Sequence, residues 1–376
     1  MTANEADIPT LVVDDTLLYR LMVTEAVDHI DGFRVVGKAD NGRTGLQAVK
    51  TLSPQLVLLD LEMPVMDGFE MLTVLKREHP DITVLIISSL SKRGGRVTLD
   101  ALQRGAFDFI TKPEENDAKA SRAELLKQLQ MKLEPLRQRR SGTSAPRPAS
   151  SASLKQPSAA PASHTAVPNV SAAQPSVSTS AGCDAARKAK IDVIGIGIST
   201  GGPQALTTLL PQLKPGLPPI CIVQHMPGPF LTAMAEKLDG LCELHVVEAA
   251  EGDTLSRDTV YIAPGGRQMA IVKPGIAAHV ELRNDPAENH CLPAADYLLR
   301  SLAESYGRHA LGAVLTGMGV DGAQGLLLMK EAGALTVAQN EATCTVYGMP
   351  KQAVRIGAAA FELPLNGVAQ VFRSAG

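Results

Sequence analysis

Gly195-Ile-Gly-Ile-Ser-Thr-Gly-Gly-Pro203 is the stretch on which the fold turns. Ile191, Val193, Ile194, Ile196 and Ile198 read as one buried strand. The strand ends at Ser199, passes a glycine pair and reaches Pro203, a residue suited to the first turn of a helix. A strand that breaks into a helix over a small polar residue predicts α/β architecture. Gly197, Ser199 and Gly201 also match the G-x-S-x-G elbow that exposes a nucleophilic hydroxyl. A Gly-rich turn of this kind equally suits phosphate binding at a helix N-terminus, and this stretch alone leaves both readings open.

Two later segments repeat the pattern. His225 follows Ile220, Cys221, Ile222 and Val223, and Asp321 follows Leu311, Ala313, Val314 and Leu315 across Thr316-Gly-Met-Gly-Val320. Three apparent parallel strands then end in a serine, a histidine and an aspartate, on the carboxyl edge where doubly wound sheets collect ligands and catalytic groups. A hydroxyl needs a neighbouring base, and the base needs a third group to fix its tautomer and stabilise its cation. Ser199, His225 and Asp321 supply those roles. Their chain order differs from that of the α/β-hydrolase, chymotrypsin and subtilisin folds. The turn lacks a full G-x-G-x-x-G and a lysine after the glycine pair, which weighs against a nucleotide site.

At 376 residues the chain has room for two ordinary domains. It is 45% hydrophobic and 20% charged with a net charge of -3, so no global field draws it to nucleic acid or anionic membrane. It has no Trp, which argues against base-stacking platforms. The five cysteines are scattered without a C-x-x-C pair, a pattern that suits a reducing cytosol rather than a disulfide framework or structural zinc site. The first residues lack a basic-then-apolar signal pattern, and no apolar run approaches the ~20 residues of a membrane helix. The expectation is a cytoplasmic protein without direct membrane insertion and without a nucleic-acid partner.

Between Ser141 and Ser180, Ser, Ala and Pro fill 26 of 40 positions. Such a segment buries too little apolar area to offset its ordering entropy. We therefore expect a flexible linker over 141–188, separating an N-terminal unit at 7–140 from a C-terminal unit at 189–376. Strands are expected in the first at Thr10–Val13, Phe33–Lys38, Leu56–Leu59, Thr83–Ile87 and Phe107–Ile110, with a last helix at Ala118–Arg139. Their alternation with helical patterns predicts a flavodoxin-like parallel sheet. The second unit alternates around strands at 191–198, 219–224, 259–263, 311–315 and 334–337, with a hairpin near Gln268–Arg283. It reads as a doubly wound, mostly parallel, Rossmann-like sheet.

The N-terminal unit gathers carboxylates at strand ends. Asp14 and Asp15 follow Leu11-Val-Val13, and Asp60 follows Leu56-Val-Leu-Leu59. Carboxylates at close quarters call for a hard cation, and magnesium fits oxygen ligands of this kind. Ser88 and Lys112 reach the same edge from later strands. A cation, a free carboxylate, a hydroxyl and an ammonium are what acceptance of a phosphoryl group requires.

Asp14-Asp15, Asp60-Leu-Glu-Met-Pro-Val-Met-Asp-Gly68, Ser88 and Thr111-Lys112-Pro113 resemble the receiver domain of bacterial response regulators. The resemblance covers residues 8–125. It implies that Asp60 accepts phosphate from the histidine kinase of the pathway. It also implies that Asp14, Asp15 and the Glu62 carbonyl hold Mg2+ beside Asp60, that Ser88 and Phe109 form the switch pair, and that Lys112 contacts the phosphate.

Ser199-Thr-Gly-Gly202, Gln224-His-Met-Pro227, Ala263-Pro-Gly265, Leu315-Thr-Gly-Met-Gly319 with Asp321-Gly322, and Val346-Tyr-Gly-Met-Pro350 resemble the catalytic domain of the chemotaxis protein-glutamate methylesterase family, CheB. A receiver, a linker and this domain are that family's whole architecture. The resemblance implies hydrolysis of glutamate γ-methyl esters on methylated chemoreceptors, with glutamine deamidation in some members and no cofactor at that site. It points to the Met318 N–H as an oxyanion donor, with the Thr200 hydroxyl also near the nucleophile. A phosphoswitch tethered to an esterase leads us to expect the receiver to cover the Ser199 edge until Asp60 is phosphorylated. Cys291-Leu-Pro293 departs from the family, standing where a more polar stretch, often with arginine, is found.

Overall fold

The computed structural model describes residues 7–113, 117–140, 175–273 and 275–376. Five strands of the N-terminal unit, β1 (Ile8–Val13), β2 (Phe33–Ala39), β3 (Leu56–Asp60), β4 (Thr83–Ser88) and β5 (Asp108–Thr111), form a parallel sheet in the order β2-β1-β3-β4-β5. Helices α1 (Leu17–Asp28), α2 (Gly42–Leu52), α3 (Gly68–Glu78), α4 (Lys92–Gln103) and α5 (Ala118–Arg140) connect and flank the strands. Every residue of β3 is buried, as expected of a central parallel strand covered on both faces. The order of strands reverses between β1 and β3, the switch point of a flavodoxin-like sheet. Asp14, Asp15 and Asp60 all end there.

Two local devices fix that edge. Asp67 caps α3 in a reciprocal box: its carboxylate accepts the Glu70 N–H at 2.7 Å, and the Glu70 carboxylate accepts the Asp67 N–H at 3.2 Å. Gly68 opens the helix so close to β3 that a Cβ there would lie 1.9 Å from the Asp60 carbonyl oxygen. Only glycine fits.

The C-terminal unit is a seven-stranded sheet, parallel throughout, in the order β14-β13-β12-β6-β7-β9-β8. Its strands are β6 (Val193–Ile198), β7 (Ile220–Gln224), β8 (His245–Glu248), β9 (Thr259–Ile262), β12 (Ala310–Val314), β13 (Leu335–Gln339) and β14 (Phe361–Leu363). The expected hairpin stands apart as an antiparallel pair, β10 (Gln268–Val272) with β11 (His279–Arg283). Helices α7 (Gly202–Leu209) and α8 (Gly228–Asp239) leave β6 and β7, while α9 (Ala295–Tyr306) and α10 (Ala323–Glu331) flank β12.

The expected linker needs correction at its end. Residues 141–174 lie outside the described residues, but Thr179–Lys188 form a helix, α6, packed on the last helix, Leu365–Arg373. Ser178 caps it, and Gly182, Cys183 and Ala186 are its buried face. Small side chains allow close packing without a strong apolar signal in the sequence. The C-terminal unit therefore begins before residue 189.

The two units touch along α4, which lies against α7 and α8. One continuous apolar cluster includes Ile86, Leu99 and Phe109 of the first unit and Leu206, Phe230 and Ala233 of the second. The Gln204 carboxamide donates to the carbonyls of Leu102 (2.9 Å) and Ala106 (2.7 Å), so α7 supplies donors for acceptors at the end of α4. Arg96 pairs with Glu236 at 2.7 Å, and Lys237 pairs with Asp100.

Candidate active site

Ser199, His225 and Asp321 come to one edge because three neighbouring strands end there. Ser199 is the first residue after β6, whose partners are β7 on one side and β12 on the other. The strand order turns at β6, so Ser199 stands at the switch point. Its N–H donates to the Thr316 carbonyl at 2.9 Å, and its carbonyl accepts from the Gln224 carboxamide at 3.0 Å. Gly201 then adopts φ +78 to enter α7, and a Cβ there would meet the Thr345 hydroxyl at 2.3 Å. The serine is 8% exposed, and no hydrogen bond of its hydroxyl is found among the described residues.

His225, the first residue after β7, turns Nε2 to the Asp321 carboxylate at 2.8 Å. Asp321 lies in the loop between β12 and α10 and is 2% exposed. Its Oδ2 also accepts the Ala295 N–H at 2.6 Å, and its Oδ1 accepts the N–H of Asp296 and the carboxamide of Asn289, both at 3.0 Å. Burial works against its charge, but the His225 hydrogen bond and these N–H donors hold it below the usual carboxylate range. An ionised carboxylate only accepts, so Nε2 carries hydrogen and Nδ1 is the ring nitrogen left for proton transfer. Nδ1 faces the Cys291 thiol at 3.6 Å. Burial disfavours the imidazolium, yet the Asp321 hydrogen bond and then Cys291 outweigh it, and the His225 pKa is pushed up to about 9.

Sequence reading did not reach Asn289. Its carboxamide bridges Asp321 and Asp296, donating to the latter at 2.8 Å. Asp296 in turn accepts the Gly325 N–H at 2.7 Å. Burial, with the Asp321 charge nearby, raises the Asp296 pKa. Asn289 sits in an irregular segment at φ +51, outside any periodic pattern.

Of the two expected oxyanion donors, Met318 lies in the loop after β12 and packs against a cluster that holds Val346 together with receiver residues such as Ile110 and Leu125. Thr200 is 3% exposed, and its carbonyl accepts the Thr316 hydroxyl at 2.9 Å. No acceptor takes the Met318 N–H or the Thr200 hydroxyl among the described residues.

In the N-terminal unit the carboxylates of Asp14, Asp15 and Asp60 offer oxygens within 4.8 Å of one another. Lys112 reaches between two of them, 2.6 Å from Asp60 and 3.0 Å from Asp14. Asp14 Oδ2 is buried and, apart from this ion pair, makes no hydrogen bond. Burial is the chief reason the Asp60 pKa is raised to about 6, against the opposing pull of Lys112. The Glu62 N–H donates to Asp60 at 3.3 Å, which brings the Glu62 backbone to this edge. Ser88 turns away: its hydroxyl accepts from Thr98 of α4 at 2.7 Å. Phe109 also turns away and stacks on Phe230 of the C-terminal unit.

Two folds of this kind on one chain, each with polar side chains gathered at its carboxyl edge, define an effector domain carried behind a receiver. The comparisons narrow the class. Residues 10–124 match the response regulator receiver domain, and residues 194–372 match the CheB methylesterase family. The chain is 40% identical over 364 residues to a protein-glutamate methylesterase/protein-glutamine glutaminase of Desulfotalea psychrophila, covering 96% of each. It is 36% identical over 365 residues to a protein of the same name from Escherichia coli O157:H7, covering 96% of this chain and 95% of that one. It also aligns with the Thermotoga maritima CheB methylesterase catalytic domain at 35% identity and a TM-score of 0.47, over 48% of this chain and 97% of that one. The chain belongs to the CheB methylesterase family of receiver-linked response regulators. Among the described residues no helix is long and apolar enough to cross a membrane.

Proposed function

We propose that the chain hydrolyses glutamate γ-methyl esters on chemoreceptors through Ser199, His225 and Asp321. The observation that carries this reading is the His225–Asp321 hydrogen bond, which commits Nε2 and leaves Nδ1 as the ring nitrogen for proton transfer, at the end of the strand next to the one that precedes Ser199. The Ser199 oxygen attacks the ester carbonyl carbon, and its proton passes to Nδ1. The Met318 N–H and Thr200 hydroxyl stabilise the oxyanion; loss of one such donor typically costs ~10²–10³ in rate. The intermediate collapses, and methanol leaves with the proton from Nδ1. Water then attacks the acyl-enzyme, gives its proton to Nδ1, and frees the glutamate with restoration of the serine. A glutamine side chain would follow the same course with ammonia leaving, and the curated relatives carry both activities in their names.

Asp60 is the proposed phosphoacceptor, supplied by the pathway's histidine kinase. The set of three close carboxylates, with Asp14 Oδ2 met only by the Lys112 ammonium, fits a hard divalent cation. Asp14, Asp15, Asp60 and the Glu62 carbonyl would hold Mg2+, which when bound neutralises phosphoryl oxygens. Lys112 adds a second positive charge. The new phosphate would draw the Ser88 hydroxyl from Thr98 and release Phe109 from Phe230, loosening α4 from α7 and α8. A shift from mostly closed to mostly open needs roughly 2–5 kcal/mol of differential stabilisation.

Methanol release from methylated receptor membranes tests both parts. The full chain should release methanol faster with Mg2+ and a small phosphodonor than without, and Ser199→Ala should lose ~10³-fold or more. Unchanged release in Ser199→Ala would sink the catalytic reading; release insensitive to phosphodonor would sink the gate.

A further inference from the structure

We propose that the Cys291 thiol and the His225 imidazole form a zinc site that, when filled, silences the esterase. Sγ lies 3.6 Å from Nδ1. A tetrahedral zinc with Zn–S of about 2.3 Å and Zn–N of about 2.0 Å spans roughly 3.5 Å between those ligands, so the pair already stands at metal-binding separation. The other ring nitrogen donates to Asp321 at 2.8 Å. Carboxylate–histidine–metal is the arrangement that orients a ligating imidazole and raises its basicity. The thiol is pinned as well, because the backbone of Cys291 exchanges hydrogen bonds with that of Glu288 at 2.7 and 3.1 Å.

A sulfur and an imidazole select a borderline-soft cation over Mg2+, which prefers oxygen. Binding releases the thiol proton, and the Nδ1 proton wherever the imidazole is charged, so it tightens as pH rises. Cys183 and Cys221 are buried, and burial pushes the Cys221 thiol up, whereas Cys291 is half-buried beside a side chain that remains 14% exposed. With two protein ligands the site leaves coordination positions to water, and it releases its metal to a chelator.

The inhibitory consequence rests on the reading of His225 as the base, because zinc and the Ser199 proton compete for the same Nδ1 lone pair. The metal site itself does not rest on it. The test uses the full chain in excess Mg2+, which keeps the carboxylate edge of the receiver occupied. Zn2+ affinity is measured by competition with a chromophoric chelator, and Co2+ is added separately to look for a thiolate-to-cobalt charge-transfer band. Wild type and Cys242→Ser should each hold one Zn2+ at least ~10-fold more tightly than Cys291→Ser, and only Cys291→Ser should lack the band. Methanol release by wild type should fall as free Zn2+ rises and recover with EDTA. Equal affinity in wild type and Cys291→Ser, or a band that survives the substitution, would overturn the site. Tight binding through Cys291 without inhibition would uphold the site and count against His225 as the base.

Discussion

The rings of Phe109 and Phe230 stack with centroids 4.5 Å apart and planes 22° from parallel. One belongs to β5 of the receiver sheet and the other to α8, which begins three residues after His225. Phe230 is fully buried and Phe109 nearly so. The aromatic of the expected switch pair therefore packs directly on the helix that leaves the proposed base.

Charge at the rim of this seam should tune the closed state. Glu236→Arg sets a cation against Arg96 of α4, where an exposed pair of about 0.2–1 kcal/mol now stands. Methanol release without phosphodonor should rise up to ~5-fold, since 1 kcal/mol is about that factor in an equilibrium. Adding Arg96→Glu should return it to the wild-type level. A double variant as active as the single one would refute the charge argument.

The pH profile should report His225. Its neutral form is the proposed base, and its pKa is pushed up to about 9, so kcat/KM should climb with pH, reach half its plateau near 9 and level off above. Cys291→Ala removes one cause of the upward push and should move the inflection down. The charged imidazole also favours the fold. That stability is fully present below the unfolded value of about 6.5 and is lost as pH rises through about 9. A profile flat between 6 and 10 would contradict the assignment.

Asn289→Ala leaves the buried Asp321 and Asp296 carboxylates facing each other without their shared donor. On the proposed mechanism Asn289 would act through Asp321 as a positioning residue. We expect kcat to drop ~10–100-fold with KM little changed. The inflection of the pH profile should shift in the same variant, a readout that a purely structural role would leave in place.

Asp60→Asn should raise the melting temperature by a few degrees in metal-free buffer at neutral pH. Its carboxyl is raised to about 6 chiefly by burial, so the charged form is disfavoured in the fold. Stability from this group falls as pH rises from about 4 to 6, and the neutral amide avoids that loss, at the expense of the Lys112 ion pair. The same variant should lose all stimulation by phosphodonor. A lower melting temperature would mean that Lys112 more than offsets the cost of burial.

Much of this was legible because apolar strands ended in single polar residues. Ser199, His225, Asp60 and Asp14 each follow a run of buried aliphatics, and the runs fixed both sheets to within a residue or two at most ends. Strands β8 and β14 escaped notice: His245-Val-Val-Glu248 has too few apolar residues to stand out, and Phe361–Leu363 is three residues long. Helix α6 escaped because its buried face is glycine, cysteine and alanine. Asn289 serves the site from an irregular segment, where no period marks it. Phe230 went unremarked in the sequence, since nothing local announces a partner in another domain.

The seam between receiver and effector domain is largely apolar at its centre, where stacked aromatics and aliphatic neighbours surround the Gln204 hydrogen bonds to Leu102 and Ala106, and its ion pairs lie at the rim. Opening it exposes hydrocarbon to water and so carries a positive heat-capacity change. Apolar association weakens on cooling. At a fixed degree of phosphorylation, a cold cell would hold a larger share of the enzyme open than a warm one, and receptor demethylation would acquire a built-in temperature compensation.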